Sequence, residues 1–306
     1  MKISIVAPIY NESAILPELY SRLKSASLNI SSDYELLFVN DGSKDESLSI
    51  IKRIAKEDNN VKFISFSRNF GHQNAITAGI DNVTGDVIVI IDGDLQDPPE
   101  LISELFNKYL EGYKVVYAKR KSRKGETFSK KLTAKVFYRL LAKITSVNIP
   151  VDTGDFRLID KVVVEQLKNM PEYNKFIRGQ IAWIGFSQTY VEYSRDERKS
   201  GKTAFTFRKM FKFAIDGITS FSNLPLKVAT YMGFLVSGFA FLIILYALYS
   251  KFILDRVISG WTSLIISTMF IGGVQLLTIG IIGEYISRIN DEVKKRPQYI
   301  VEETNV

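Results

Sequence analysis

Asp92-Gly93-Asp94 stands directly after the apolar run Val87-Ile-Val-Ile-Ile91 and is followed by Gln96, Asp97 and the pair Pro98-Pro99. In an extended segment, residues two apart face the same way, so Asp92, Asp94 and Gln96 share one side. Carboxylates repel phosphate unless a cation lies between them. Hard oxygen ligands at this spacing suit Mg²⁺ or Mn²⁺, with phosphate oxygens and water completing the shell. D-x-D alone is common in solvated turns. Here it ends a continuous apolar run of the kind found in strands buried on both faces, which gives the acids a rigid base. Other chemistries are less well supplied. There is no GxGxxG after the first strand and no GxxxxGK[ST], so neither a glycine-cradled dinucleotide nor a P-loop is supported. The absence of cysteine excludes disulfides, thiolate metal sites and a cysteine nucleophile. The lone histidine, His72, has no second histidine near it and is expected to be structural.

These side chains need a scaffold, and the pattern of the first 120 residues supplies one. Strands are expected at 3–7, 34–39, 61–66, 87–91 and 114–118, with helices at 13–26, 43–56, 72–82 and 100–111. Ser43-Lys-Asp-Glu46 reads as a capping box, and Pro98-Pro99 suits a helix start. Alternating strands and helices make an α/β domain with a mainly parallel sheet covered on both faces. In such sheets ligands bind beyond the carboxyl ends of the strands. Four of those ends carry polar groups: Pro8-Ile-Tyr10-Asn-Glu12, Asn40-Asp41-Gly42-Ser43, Ser67-Arg68-Asn69 and Asp92 to Asp97.

In order along the chain, VAPIYNE, VNDGSKDES, FSRNFGHQNAITAG, DGDLQDPPE and TGDFRLID closely resemble family 2 glycosyltransferases of the GT-A fold. More narrowly, they resemble the polyprenyl-phosphate glycosyltransferases, namely the bactoprenol glucosyltransferases and the dolichyl-phosphate mannose synthases. Each motif is loose alone, but the five together are specific. Gly93 stands where these proteins often have alanine, a departure expected to have little consequence. The resemblance implies inverting transfer of one sugar from a nucleotide diphosphate donor to a lipid phosphate, with glucose, UDP-glucose and undecaprenyl phosphate as the best substrate guess. It also implies that Pro8, Tyr10, Glu12 and Asp41 hold the nucleoside, and that Asp92, Asp94 and Gln96 form the Mg²⁺ or Mn²⁺ and diphosphate site. Asp155 matches the family's catalytic carboxylate; its alternatives are a cap or an ion-pair partner for Arg157. A phosphate monoester is mostly dianionic at neutral pH and scarcely needs a base.

The chain has 306 residues, with 40 Lys+Arg against 33 Asp+Glu and a formal charge of +7. The basic residues cluster in 119–143 and 195–212, and Arg120, Arg123, Arg198 and Lys202 are the expected contacts to donor or acceptor phosphate. Stretches 228–250 and 257–283 carry no charge and are long enough to cross a bilayer as a hairpin. Lys209, Lys212, Lys227, Arg288, Lys294, Lys295 and Arg296 flank its outer ends, against Lys251 and Arg256 in the connection. The positive-inside rule then puts the catalytic domain and the C-terminal tail in the cytoplasm of a multi-pass protein of the cytoplasmic membrane. The N-terminus makes a poor signal peptide.

The expected division is a catalytic domain over 1–204, an amphipathic interfacial helix region over 205–226, a transmembrane hairpin over 227–287 and a cytoplasmic tail over 288–306. Phe207, Phe211, Ile218 and Phe221 mark the apolar face of the interfacial helix, and Tyr231 and Trp261 are candidate interfacial anchors. Gln275 is expected to face a neighbouring helix. Gly272, Gly273, Gly280 and Gly283 permit close packing and a homo-oligomer. Nucleic acid is disfavoured as a partner, since no such binding module is present and the basic runs adjoin the apolar stretches. Two alternatives remain: a polysaccharide-elongating glycosyltransferase, and a non-catalytic membrane protein that binds nucleotide sugars.

Overall fold

The computed structural model describes residues 1–121, 153–173, 175–194, 224–253 and 260–306. They fall into two compact units: one holds the N-terminal part of the chain together with Arg296–Val306, and the other is built on Phe211–Lys295. Along the chain the elements are β1 (Ile3–Ile9), α1 (Leu16–Leu28), β2 (Tyr34–Asn40), α2 (Ser47–Glu57), β3 (Val61–Phe66), α3 (His72–Asn82) and β4 (Val87–Ile90). A short 3₁₀ turn (Pro99–Leu101) leads into α4 (Ile102–Leu110), followed by β5 (Val115–Arg120), β6 (Thr153–Asp160), α5 (Lys161–Lys168), α6 (Ile177–Ile184) and β7 (Gln188–Tyr193). The long helices α7 (Leu224–Phe252) and α8 (Trp261–Lys294) precede a last strand, β8 (Val301–Thr304).

One eight-stranded sheet organises the first unit, in the order β7-β5-β6-β4-β1-β2-β3-β8. Strands β4, β1, β2 and β3 are parallel, as their apolar runs predict. The sheet as a whole is mixed, because β6 runs antiparallel to both β4 and β5, and β8 runs antiparallel to β3. Strand β6 is hard to see in the sequence. Its TGDFRLID carries Asp155, Arg157 and Asp160, all buried; Arg157 pairs with Asp155 within the strand, while Arg178 and His72 reach Asp155 and Lys114 reaches Asp160 from far along the chain.

Side-chain alternation builds the two cores. Ile3, Ile5, Ala7 and Ile9 of β1 face a cluster completed by Leu16, Leu19 and Leu23 of α1, Ile51 of α2 and Leu105 of α4. Val6 of β1 and Ile88 and Ile90 of β4 face the opposite side, with Ala75, Ile76 and Ile80 of α3 and Val163 of α5.

Ser43 to Glu46 do not form a capping box. Helix α2 begins at Ser47, and the Ser43 hydroxyl instead accepts the Asn11 N–H at 3.0 Å. Asp45 takes over, accepting the N–H of Ser47 at 3.0 Å and that of Ser13 at 3.0 Å, so the loop after β2 is tied to the loop after β1.

At the opposite end of the strands, Glu35 accepts from the Ser4 hydroxyl at 2.5 Å, the Thr84 N–H at 2.7 Å and Lys2 Nζ at 2.8 Å. Burial alone would raise its pKa, but Lys2, Ser4 and Thr84 outweigh that and hold it below the ordinary range. The native state thus favours the ionised form. The stabilisation is present above the unfolded pKa and is lost as pH falls through the lower folded value. Glu35→Ala should cost about 2 kcal/mol by leaving buried donors unsatisfied, measured by urea denaturation at pH 7, and the deficit should shrink in acid.

In the second unit, α7 has 29 residues and α8 has 34. At 1.5 Å per residue they extend about 43 and 51 Å, beyond the roughly 30 Å of a bilayer core. Both contain windows apolar enough to cross a membrane, and almost none of those windows is buried within the chain. Phe234, Met269 and Leu276 are among the exposed apolar side chains. A helix buried in a soluble core would hide them.

Candidate functional site

The parallel register of β1 to β4 brings the four polar strand ends to one edge of the sheet. Ile90 of β4 pairs with Arg157 of β6, and continuing this antiparallel register by two residues sets Asp155 opposite Asp92. That is why a carboxylate far along the chain meets the D-x-D segment. The ring of His72, the first residue of α3, stands between them, with Nε2 3.2 Å from Asp155 Oδ2 and 3.3 Å from Asp92 Oδ1. His72, Asp92 and Asp155 together offer ligand atoms within 4.8 Å of one another. Burial would lower the His72 pKa, but Asp155 and Asp92 outweigh it and push it up to about 10. His72 was expected to be structural; it lies instead in the acidic centre. Only the pairing of β4 with β6 reveals this, and no local signal does.

Asp92 Oδ1 is buried and faces His72 Nε2 at 3.3 Å. Burial would raise the Asp92 pKa, while His72 and Arg178 hold it below its ordinary value. Asp94 Oδ1 accepts the Gln96 N–H at 3.1 Å, which turns the backbone back on itself. Leu95, between them, sits at φ +54° with its side chain buried, an uncommon conformation for a bulky residue. Asp92, Asp94 and Gln96 are all half-buried, whereas Gly93, Leu95 and Asp97 are buried, and the segment is a turn rather than the extended stretch read from the sequence. Asp97 anchors the end of this loop by accepting the Tyr193 hydroxyl.

Gly93 is more constrained than expected. A Cβ added there would lie 2.8 Å from the Pro8 carbonyl oxygen and 2.5 Å from Ile9 Cδ1. The carbonyl belongs to β1 and yields little. Gly93→Ala should therefore destabilise the fold by about 1–3 kcal/mol, read as a lower denaturation midpoint. An unchanged midpoint would show that β1 and the loop can separate freely.

Asp155 is buried and held by cations. Arg178 of α6 donates Nε to Oδ1 at 2.8 Å and Nη2 to Oδ2 at 2.9 Å, and Arg157 Nη2 donates to Oδ1 at 3.1 Å. Gln73 Nε2 donates to Oδ2 at 3.4 Å. Burial would raise its pKa, but Arg178, His72 and Arg157 keep the carboxyl well below the usual range. At neutral pH it is an ion-paired anion and a weak proton acceptor. Arg178 and Gln73 were not foreseen: Arg178 lies in no motif, and Gln73, although within FSRNFGHQNAITAG, reaches Asp155 only through tertiary packing.

Asp41 accepts the N–H of Phe70 at 2.7 Å and of Gly71 at 3.1 Å, fixing the loop that delivers His72. Gly42 beside it sits at φ +65°, and a Cβ there would lie 2.3 Å from the Arg68 carbonyl carbon, so glycine is required. Tyr10 is 44% exposed, leaving a ring face open to a ligand. Pro8 is buried and Glu12 half-buried, and the Glu12 N–H donates to Ser47 Oγ. Arg120, expected at phosphate, donates Nε to Tyr193 Oη at 3.2 Å and lies 3.7 Å from Asp97 Oδ2. Arg123, Arg198, Lys202 and residues 205–223 of the expected interfacial region lie outside the described residues, and residues 224–226 open α7.

The profile of the family described as "Glycosyl transferase family 2" matches residues 4–168. The "Uncharacterized glycosyltransferase YkcC" of Bacillus subtilis is 54% identical over 301 residues, covering 98% of this chain and 93% of its own. The "Prophage bactoprenol glucosyl transferase homolog" of Escherichia coli is 43% identical, covering 98% of each chain. The "SfII prophage-derived bactoprenol glucosyl transferase" of Shigella flexneri is 42% identical, covering 100% of this chain and 99% of its own. With motifs, strand order and acidic centre in place, the chain belongs to glycosyl transferase family 2 and carries its GT-A fold, a mixed sheet with helices on both sides.

Proposed function

We propose that the chain transfers one sugar, with inversion, from a nucleotide diphosphate donor to a polyprenyl phosphate at the cytoplasmic face of the membrane. Glucose from UDP-glucose and undecaprenyl phosphate are the first donor and acceptor to test. One observation carries the reading: an oxygen-rich acidic crevice at the strand ends belongs to the same chain as two helices of membrane-crossing length. End-to-end similarity to relatives named bactoprenol glucosyl transferases supports the acceptor class.

The residues present fit a divalent cation. Asp92 and Asp155 bring carboxylate oxygens together around His72, and Asp94 and Gln96, close by in the same loop, carry further oxygen donors. Asp92, Asp94 and Gln96 would hold Mg²⁺ or Mn²⁺, which when bound supplies Lewis-acid neutralisation of the diphosphate as it leaves. Tyr10 offers the nucleoside a face, with Pro8, Glu12 and Asp41 shaping the floor beneath it. Asp155, paired by Arg178 and Arg157, orients His72 and a sugar hydroxyl rather than taking a proton, and the acceptor phosphate attacks as the dianion. Arg120, Arg123, Arg198 and Lys202 are proposed to neutralise donor or acceptor phosphate.

The topology agrees with this reading. The first unit contains chain from before α7 and after α8, which supports a hairpin of the two apolar helices among the described residues. Lys227, Arg288, Lys294, Lys295 and Arg296 at the outer ends support a cytoplasmic position for that unit by the positive-inside rule. The glycines of α8 have open space around them, compatible with a second copy.

The test incubates the purified chain with undecaprenyl phosphate and a panel of labelled nucleotide sugars, with metal or with EDTA. Label entering the organic phase only with metal, one sugar per lipid, is the expected result. A growing polymer would support the elongating alternative. Nucleotide-sugar binding without any transfer would support the non-catalytic one, and either outcome overturns the proposal.

A further inference from the structure

The chain's last residues are not a free appendage. Strand β8 adds to the edge of the sheet, pairing Ile64 with Thr304, Ser65 with Glu303 and Phe66 with Val301. Asn305 Oδ1 accepts the Phe63 N–H at 2.6 Å, and the Ile300 carbonyl accepts the Ser67 N–H at 3.1 Å. Just before the strand, Tyr299 makes two contacts of a different kind. Its ring stacks on Phe66 with centroids 5.0 Å apart and planes 19° from parallel. Its hydroxyl donates to Asp81 Oδ2 of α3 at 3.1 Å.

Phe66 in turn meets Phe70 edge to face at 5.7 Å. Phe70 and Gly71 donate their N–H groups to Asp41, and the next residue is His72. Tyr299 therefore grips α3 near its end and, through Phe66 and Phe70, the loop that starts it. A segment of only five residues, 67–71, separates β3 from α3. Its course decides where His72 stands between Asp92 and Asp155.

We infer that residues 298–305 are a positioning segment of the donor site, with Tyr299 as the residue that fixes the 67–71 loop. This rests on the reading that the crevice takes the donor. Tyr299 touches no reacting atom; it acts through Phe66 and Phe70. An aromatic pair contributes modestly, so removing the ring loosens the loop rather than the sheet.

Full-length Tyr299→Ala and Tyr299→Phe are compared with wild type by amide hydrogen exchange and by donor kinetics. In Tyr299→Ala the Phe70 and Gly71 amides should exchange about tenfold faster, while amides of β1 and β2 keep their protection. Donor KM should rise more than kcat falls, and Tyr299→Phe should restore both. Unchanged exchange at Phe70 and Gly71, uniform loss of protection across the sheet, or a Tyr299→Phe as loose as Tyr299→Ala would each overturn the inference. If Tyr299→Ala does not fold, Tyr299→Leu is read in the same way. Wild-type transfer runs in parallel: its absence defeats the proposed function, while the exchange pattern still decides the role of Tyr299.

Discussion

Asp92→Asn is expected to lower kcat/KM by about 10³-fold while the chain stays folded. The substitution keeps the shape of the side chain and removes the charge that would face a divalent cation. Losing one preorganised charge-stabilising group at a reacting centre typically costs about 10²–10³ in rate, and loss of the cation itself sits at the upper end. A second readout separates this from misfolding. His72 is the only histidine, so its ring gives a single resonance to titrate. Its pKa is pushed up to about 10 by Asp155 and Asp92 together, against burial. With Asp92 neutralised, the metal-free His72 titrates lower, toward the ordinary value. A raised folded pKa means that this ion pair's stabilisation is full below the unfolded value and fades as pH climbs through the folded one. The metal-free wild type therefore loses stability toward alkaline pH, and Asp92→Asn loses less. Wild-type turnover in Asp92→Asn, with an unmoved histidine, would remove Asp92 from the site.

Asp155→Asn is expected to damage stability as much as activity. Arg157 is fully buried, and its cationic head lies 3.1 Å from Asp155, with Arg178 bound on the other side. Deleting the negative member of a buried ion-paired cluster leaves uncompensated charge and costs about 3–5 kcal/mol. Thermal unfolding should report it as a drop of about 10 °C. A general base predicts something different: near-native stability with turnover lost and a shifted acid limb in the rate profile. Because Arg178, His72 and Arg157 hold Asp155 ionised well below the usual range, the acid limb of the wild-type profile should not report this residue. An Asp155→Asn chain as stable as wild type would show that the arginines find other partners.

Much of the scaffold is visible in the sequence because continuous apolar runs alternating with helix-period segments leave few options. Strands β1 to β4 and the helices between them follow from it, and so does the gathering of Asp41, Asp92 and the 8–12 segment at one edge. What sequence patterns hide are the antiparallel additions. Strand β6 places three buried charges in its eight residues, and its pairing with β4 alone explains why Asp155 meets Asp92. The histidine between them looks ordinary until that pairing is known. Arg178 lies on a helix whose local pattern is apolar, and nothing nearby in sequence announces its grip on Asp155. Strand β8 is four residues with two glutamates, and only the open edge of β3 gives it a place. Gly93 reads as permissive until the Pro8 carbonyl is seen beside it.

The most direct measurement is Mn²⁺ binding followed by electron paramagnetic resonance on the full chain, with and without UDP. The proposed site predicts one bound ion whose affinity rises when UDP is present, with binding lost in Asp92→Asn and weakened in Asp94→Asn. Undiminished Mn²⁺ binding in Asp92→Asn, or UDP binding indifferent to EDTA, would contradict a cation held at Asp92 and Asp94 against the leaving diphosphate.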